Sequence, residues 1–449
     1  MTSSATYYLT KLVSGTKSLP HEVIERAKLH IADTISCIYA GTSSQPARKL
    51  ATALFGKANP GLAMPDWRHE SDSSRAALLI GTCAHGDDLD DTSEFSMKGH
   101  PSASVVSALL PTARDTQADG LAFIRSYVIG VEVACKLGKA LGIAHVQKGW
   151  HTMSTLGTLG AAAACANLRG LDPAKTETAL AIACSFAGGI LGNTGTDVKG
   201  LHCGLAARDG YTAAVLAECG FTAGHDILEA QSGFLDAFTD GSISRIELPL
   251  LGGPWEIMEP GLSVKLYPSC NCTHSAIEGA LKIRSAAVFE LDKIAEIRCY
   301  VRRKKYTEFL RFPEPETGIQ GKFSMNYTVA VALLYGDVKF EDFQDAAVRR
   351  NDVIILGRKV TMICTEGNEA LSEAPDIEVI LTDGSRLIER RTAPLGTSGN
   401  PVGWADIIKK FDSCIAQASI KPADARQFII ALQELEKQQE LMHIFSSRD

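Results

Sequence analysis

The stretch Pro249-Leu-Leu-Gly-Gly-Pro254 divides the sequence into two parts with different patterns. Glycine and proline concentrate there, as they do in connections between structural units. Before it, apolar residues recur at helical spacing in one segment after another, whereas after it helical and strand patterns alternate. The stretch therefore predicts a boundary between a helical domain and an α+β domain.

The first part is predicted to be almost entirely helical. Ser18 to Gly41 has a proline near its start, apolar residues three and four positions apart, and a glycine at its end. Similar signals predict helices at 74 to 90, 102 to 114, 119 to 141, 156 to 169, 173 to 188, 203 to 219 and 226 to 238.

The second part mixes both kinds of element. Apolar and polar residues alternate over 294 to 302, which predicts a strand. A hairpin is predicted where 377 to 381 and 386 to 389 flank the turn residues Asp383-Gly384. Helices are predicted at 274 to 288 and 326 to 335.

The C-terminal segment becomes helical again, and amphipathic patterns cover 404 to 418 and 422 to 444. The simplest architecture returns these helices to the first domain. We therefore expect a fold that is mainly α with an α+β part. Residues 1–256 and 396–449 would form a large all-α helical domain, and 257–395 a smaller lid domain inserted before the C-terminal helices. A site between the domains is expected.

Composition excludes several function classes. The 449 residues are 45% hydrophobic and 22% charged, which is typical of globular proteins, and the net charge of −7 argues against nucleic-acid binding. No apolar run reaches the roughly 18 residues of a membrane span, and the start lacks a signal-peptide pattern. The cysteines lack the spacing of a disulfide framework. We expect a soluble, cytoplasmic protein.

Charge is concentrated in His85-Gly-Asp-Asp-Leu-Asp-Asp-Thr92 and the nearby Lys98-Gly-His100. If 87 to 91 is helical, Asp87 and Asp91 share a face, where like charges repel. Histidines titrate near neutral pH, and neighbouring carboxylates set their charge and orientation. The segment predicts a catalytic site, with a solvated acidic face as the alternative.

Basic residues stand at two predicted helix starts. His151 precedes an alanine-rich helix, whose N-terminus attracts anions. A loop delivers Lys199, His202 and Arg208 to the head of another helix, where all three are expected to bind anionic groups of a substrate. Lysine and arginine in particular bind carboxylates. Capping and solvent exposure are the alternatives for these positions.

Two further segments carry polar groups suited to chemistry. Lys265-Leu-Tyr-Pro-Ser-Cys270 begins the α+β part with a rigid turn, and His274 follows it. Tyr327 opens a later helix and is either a proton carrier or a core tyrosine. All these groups together favour a small substrate with several carboxylates. Glycine-rich nucleotide motifs are absent, so no redox cofactor or ATP is implied.

In this order the motifs resemble the MmgE/PrpD family, which includes 2-methylcitrate dehydratases, cis-aconitate decarboxylases and iminodisuccinate epimerase. The resemblance covers nearly the whole chain. It rests on the motifs Ala84 to Thr92, Gly99-His-Pro-Ser102, Gly149-Trp-His151, Lys199 to Arg208, and Lys265 to Cys270 with His274. It implies a homodimer without metal or organic cofactor, and a site between a helical domain and a lid.

The resemblance also implies site residues. The active-site positions of the decarboxylase members fall on Asp88, Thr92, His100, His151, Lys199, Lys265 and Tyr327. One position departs from that pattern, because Cys270 stands where those decarboxylases have a histidine. Dehydration and epimerisation are therefore open beside decarboxylation.

The leading hypothesis is a lyase for a citrate-like or aconitate-like acid that uses histidine and lysine for acid-base catalysis. Lysines 199 and 265, with Arg208, would hold carboxylates, and His100 and His151 would move protons. The alternative is an epimerase of a substituted succinate, with Cys270 or His274 as the second acid. Two other readings are a magnesium-diphosphate site of the D-D-x-x-D type at 87 to 91, and a non-catalytic helical binding protein.

Overall fold

The computed structural model describes residues 4–56, 70–239, 246, 251–286, 289–371, 374–390 and 393–445. It is mainly helical with a small four-stranded sheet, which confirms the predicted fold class at that level. The chain forms two compact units. One comprises Met1–Asn193, Val198–Val264 and Val402–Asp449, and the other Thr194–Asp197 and Lys265–Pro401. The domain boundaries and the lid drawn from the sequence stay predictions. Pro249 and Leu250 lie outside the described residues.

Helices build the first unit. They are α1 (Ala5–Gly15), α2 (His21–Gly41), α3 (Gln45–Phe55), α4 (Ser73–Gly86), α5 (Pro101–Thr116), α6 (Gly120–Leu141), α7 (Ala144–Gln147), α8 (Thr152–Leu168), α9 (Pro173–Phe186), α10 (Asp197–Glu218) and α11 (Phe234–Thr239). Two helices near the C-terminus complete this unit, and they are numbered after the helices of the second unit: α18 (Trp404–Gln417) and α19 (Ala425–Gln433).

The centre of the first unit is α8, whose residues from Thr152 to Asn167 are all buried. Small side chains let the neighbouring helices approach its backbone. A Cβ on Gly160 would lie 2.7 Å from the carbonyl oxygen of Gly130 on α6, closer than real Cβ atoms come. Glycine at both positions therefore permits direct contact of the two backbones.

The second unit combines short helices with the sheet. Its helices are α12 (His274–Arg284), α13 (Lys304–Phe309), α14 (Gly318–Gly321), α15 (Met325–Tyr335), α16 (Asp345–Val348) and α17 (Asn351–Gly357). Its strands are β1 (Ile294–Val301), β2 (Val360–Cys364), β3 (Ile377–Leu381) and β4 (Arg386–Glu389).

The strand order is β2-β1-β3-β4, with β1 parallel to β2 and antiparallel to β3. Ile297 of β1 lies opposite Val360 on one side and Val379 on the other. Alternate residues of β1 are buried in the apolar core that α12 and α15 complete. The predicted β3–β4 hairpin is confirmed, with Ile377 opposite Glu389.

Several predicted elements need correction. The helix predicted at 226 to 238 is wrong over most of its length, because Asp226 and Ser232 have positive φ and only α11 is helical. The helix predicted at 422 to 444 ends at Gln433 and is followed by short 3-10 turns. The sequence patterns did not predict α1, α3 or β2. The end of the helix predicted at 274 to 288 lies outside the described residues.

Among the helices that the structure describes, none is both long enough and apolar enough to span a membrane.

Candidate active site

Close packing of α4 against α10 brings basic groups from both helices together. A Cβ on Gly204 would lie 2.3 Å from the carbonyl oxygen of Leu78, and one on Gly81 would lie 2.7 Å from Cα of Gly204. The two backbones therefore touch at these glycines. His85, one turn after Gly81, consequently meets the first turn of α10, where Lys199 stands.

The acidic segment after α4 is a loop. The helix ends at Gly86, and Asp88 has a left-handed φ of 54°. The prediction that Asp87 and Asp91 share a helical face is therefore wrong. The carboxylates separate instead: Asp91 accepts from the Ser102 hydroxyl at 2.5 Å and lies 2.9 Å from Nδ1 of His30, while Asp88 and Asp90 meet other basic side chains.

Asp90 is a fully buried carboxylate between two histidines. His85 Nδ1 lies 2.8 Å from Oδ1 of Asp90, and His100 Nδ1 lies 3.3 Å from Oδ2. Burial alone would raise the pKa of Asp90, but the two imidazoles outweigh it and hold that pKa well below its usual range. Asp90 is therefore ionised and orients both rings.

Lys199 supplies the positive charge of the cluster. Its ammonium lies 2.6 Å from Nε2 of His85 and donates to Oδ1 of Asp88 at 2.7 Å. Burial lowers the pKa of His85 to about 4, and the nearby ammonium adds to that shift, although Asp90 opposes it. His85 is therefore neutral at pH 7.

His100 and His151 occupy equivalent places on two helices. His100 is the N-cap of α5 and His151 is the N-cap of α8. Gly99 lets these helix starts meet, because a Cβ there would lie 2.2 Å from the hydroxyl of Thr152. The ring centroid of His85 lies 4.5 Å from that of His100 and 6.1 Å from that of His151.

His151 also contacts a histidine on α10. Its Nδ1 lies 2.9 Å from Nδ1 of His202, and both side chains are buried. Burial, assisted by the charge of Lys199, lowers the pKa of His151 well below its usual range and that of His202 to about 4. Both rings are therefore neutral at pH 7.

Four side chains of the cluster have ligand atoms close enough together to hold a metal ion. One ligand atom from each of His85, Asp88, Asp90 and His100 falls within 4.8 Å of the others. However, the Lys199 ammonium contacts two of these four side chains, so a fixed cation already balances the charge there. A divalent ion would have to displace it. The magnesium-diphosphate interpretation is disfavoured too, since two of its carboxylates are engaged: Asp88 accepts from Lys199, and Asp91 contacts His30 and Ser102.

Two other predicted residues of the first unit have different surroundings. Thr92 is buried, and its backbone pairs with Ser263 through two hydrogen bonds of 2.8 Å. Arg208 lies further along α10, and its guanidinium binds Asp209 at 2.7 Å. The loop 87 to 92 is also held by Lys410, which donates to the carbonyl oxygen of Leu89 at 2.8 Å.

Four predicted residues belong to the second unit. Lys265 is fully buried, and the backbone N–H of Cys270 donates to the carbonyl oxygen of Lys322. His274 starts α12 and packs edge-on against Tyr267. The Tyr327 hydroxyl donates to the carbonyl oxygen of Asp342, a contact typical of a core tyrosine.

Sequence reasoning missed two members of the cluster, His85 and Asp90. Both stand in the segment 85 to 92, which was predicted to be catalytic. The helical register assumed there does not bring residues five positions apart together. The glycine at 86, a common signal for a helix end, was the available sign that the register breaks there.

Comparisons with known proteins agree with the sequence motifs. The MmgE/PrpD N-terminal domain matches residues 9–246, and the MmgE/PrpD C-terminal domain matches residues 267–437. A human protein named cis-aconitate decarboxylase is 27% identical over 433 residues, covering 92% of this chain and 88% of the relative. A cis-aconitate decarboxylase of Aspergillus terreus is 30% identical over 429 residues, covering 88% and 86%.

Proposed function

The chain belongs to the MmgE/PrpD family, and we propose that it is a cofactor-independent lyase acting on a small polycarboxylate of the aconitate or citrate type. The observation that carries the proposal is the Lys199 ammonium held among histidines: His85 and His151 are buried, and His100 and His151 cap helices. A fixed positive charge beside imidazoles that can carry protons suits a reaction in which a carboxylate-bearing carbon gains negative charge.

In this proposal Lys199 faces a substrate carboxylate, and the resemblance assigns a second carboxylate to Lys265. Arg208, which stands nine residues further along α10 and binds Asp209, has no part in it. Because carbanion formation spreads negative charge onto the adjacent carboxylate, the ammonium stabilises the transition state more than the ground state. His100 and His151 move the protons. Asp88 orients Lys199 at 2.7 Å, and Thr92 belongs to the same loop.

Decarboxylation is the first reaction to test, because the relatives are named for it. The bond between carbon and a carboxylate breaks, carbon dioxide leaves, and the electron pair left on carbon takes one proton from a histidine. Because Cys270 stands where the resemblance expects a histidine, dehydration is the second reaction to test. There a base removes a proton next to a carboxylate, and an acid protonates the leaving hydroxyl.

The test is proton NMR of the purified protein in deuterated buffer with cis-aconitate, 2-methylcitrate and iminodisuccinate in turn. We expect a new vinyl or methylene product from one of the first two acids. His100→Ala and His151→Ala should each lower turnover about 100-fold or more while the protein stays folded. His225→Ala, at a side chain that is 92% exposed, is the matched control. Near-normal turnover in both site variants would refute the proposal.

A succinate-type epimerase is the second candidate. It needs one base and one acid on opposite faces of a carbon, and His100 and His151 are two separate proton carriers. Deuterium exchange at the α-carbon with no net product would favour it.

We also propose, from the resemblance and the composition, a homodimer located in the cytoplasm. Light scattering of the purified protein and cell fractionation test these two points.

A further inference from the structure

We propose that His202 is a positioning residue that passes protons to and from His151, so that the two imidazoles act as one relay. The proposal rests on the proposed function, since it assigns the route by which protons reach the reacting carbon. It differs from the role first drawn from the sequence, in which His202 binds the substrate.

The geometry of the contact restricts where the hydrogens are. The two Nδ1 atoms lie 2.9 Å apart, a hydrogen-bond distance, and the ring centroids are 5.1 Å apart. Two like nitrogens share a hydrogen bond only if one carries a hydrogen and the other does not. Because both rings are neutral at pH 7, they must be opposite tautomers.

Opposite tautomers give the pair an acid end and a base end. The ring that donates through Nδ1 has a bare Nε2, and the ring that accepts has an Nε2–H. When the bare Nε2 takes a proton, the shared hydrogen crosses between the Nδ1 atoms and the far Nε2 releases its own proton to a solvent water molecule. One proton has then moved across two rings, no net charge remains, and the tautomers are exchanged.

This route avoids a charge that the surroundings disfavour. A single imidazolium at His151 would be buried and would face the positive charge of Lys199 and the rings of His85 and His100. A relay lets the charge pass through without staying. The same steps run backwards when the substrate carbon must receive a proton.

The backbone holds the two rings in place. The His151 N–H donates to the carbonyl oxygen of Gly189 at 3.1 Å, and Gly189 has a φ of 100°. A Cβ at Gly189 would lie 3.3 Å from Cδ2 of His202 and 2.6 Å from the hydroxyl of Ser154. Glycine is therefore required where the chain passes beside the pair.

His202→Asn is the decisive variant, because its amide can still hydrogen-bond Nδ1 of His151 but cannot pass a proton. We expect kcat to fall about 100-fold with KM within about threefold of the unchanged protein. A plot of kcat against the deuterium fraction of the solvent should be curved for the wild type, in which two protons move together. It should be linear for His202→Asn, in which one proton moves. Wild-type kcat would overturn the relay, and a KM rise equal to the kcat loss would return His202 to substrate binding.

A second measurement does not need turnover. In protein labelled with ¹⁵N-histidine, NMR should show one ring of the pair as the Nδ1–H tautomer, and His202→Asn should alter the signals of the other. If both rings are Nε2–H tautomers, the relay is wrong. If the shared hydrogen is present but no acid is turned over, the proposed function is wrong, whereas the hydrogen bond between the opposite tautomers of His151 and His202 is confirmed. His225→Asn serves as the control in both experiments.

Discussion

The ammonium of Lys199 lies 2.6 Å from Nε2 of His85, while Asp90 binds Nδ1 of the same ring at 2.8 Å. An ammonium only donates hydrogen bonds and a carboxylate only accepts them. His85 is therefore neutral, with its hydrogen on Nδ1 and its lone pair directed at the ammonium. The ring thus links the position of Asp90 to that of Lys199, and its own nitrogens are not available to take protons.

Replacing Asp90 with asparagine should weaken catalysis without changing the shape of the site. The variant removes the charge that orients His85 and His100, and we expect kcat/KM to fall roughly 10-fold to 100-fold, as for other residues that position a functional group. Steady-state kinetics against the active acid is the measurement. Asp87→Asn, at the C-cap of α4, is the control and should stay near wild type. Equal activity of the two variants would show that Asp90 does not orient the site.

Gly204→Ala should destabilise the protein and reduce activity together. The added methyl group meets backbone of α4 at 2.3 Å, so α4 and α10 must separate, and His85 moves away from Lys199. Overpacking of this kind costs about 1–3 kcal/mol. Urea unfolding measures the loss. Gly15→Ala, where nothing lies within 4 Å, should leave stability unchanged or slightly higher. Wild-type stability for Gly204→Ala would contradict the backbone contact.

Lys410→Met should lower the free energy of unfolding by roughly 3–5 kcal/mol. Lys410 forms a buried ion pair with Asp33, and without it that carboxylate is left alone in the core. Burial raises the pKa of Asp33 to about 6 even beside the lysine. The double variant Asp33→Asn with Lys410→Met should recover part of the loss. A single variant as stable as the wild type would show that the pair contributes nothing.

Acid should destabilise the fold already below pH 6.5, because several buried histidines resist protonation. Burial lowers the pKa of His85, His145 and His202 to about 4. Between about pH 6.5 and pH 4 the unfolded chain binds protons that the folded protein does not, so each such group removes about 1.4 kcal/mol of stability per pH unit as pH falls. Above pH 6.5 these groups have no effect. Asp33 and Glu132, whose pKa values are raised by burial to about 6 and about 7, oppose the trend.

The variant His145→Gln isolates one of these contributions. His145 packs on Trp150 and contacts the hydroxyl of Thr155 at 2.8 Å, outside the site cluster. The slope of unfolding free energy against pH between 6.5 and 4.5 should become shallower by about one proton, or about 1.4 kcal/mol per pH unit. His225→Gln, at an exposed histidine, should leave the slope unchanged. Identical slopes in all three proteins would show that His145 titrates normally.

The sequence predicts best what local patterns determine. The β3–β4 hairpin follows from alternating residues around Asp383-Gly384, and α2 follows from apolar spacing between Pro20 and Thr42. His100, His151 and Lys199 were identified from motifs, and the structure brings them together with Asp88 and His202.

What the sequence does not predict depends on distant contacts. The partner of Asp90 is decided by where α4 ends and by a left-handed residue at Asp88. The meeting of His85 with Lys199 depends on two glycines 123 positions apart, Gly81 and Gly204, touching across helices. The helix predicted at 226 to 238 failed because its apolar residues pack through turns rather than through one helical face.

The burial of α8 on every side has a consequence for the timescale on which His151 moves. An element with no solvent-facing residue from Thr152 to Asn167 exposes its amides only when the surrounding helices separate. Its hydrogen exchange should therefore proceed through global opening, slower than that of α3 or α19, which keep exposed faces. His151 stands at the first turn of this rigid element, so adjustment to a substrate must come from side-chain rotation and the neighbouring loops, while the helix itself stays still.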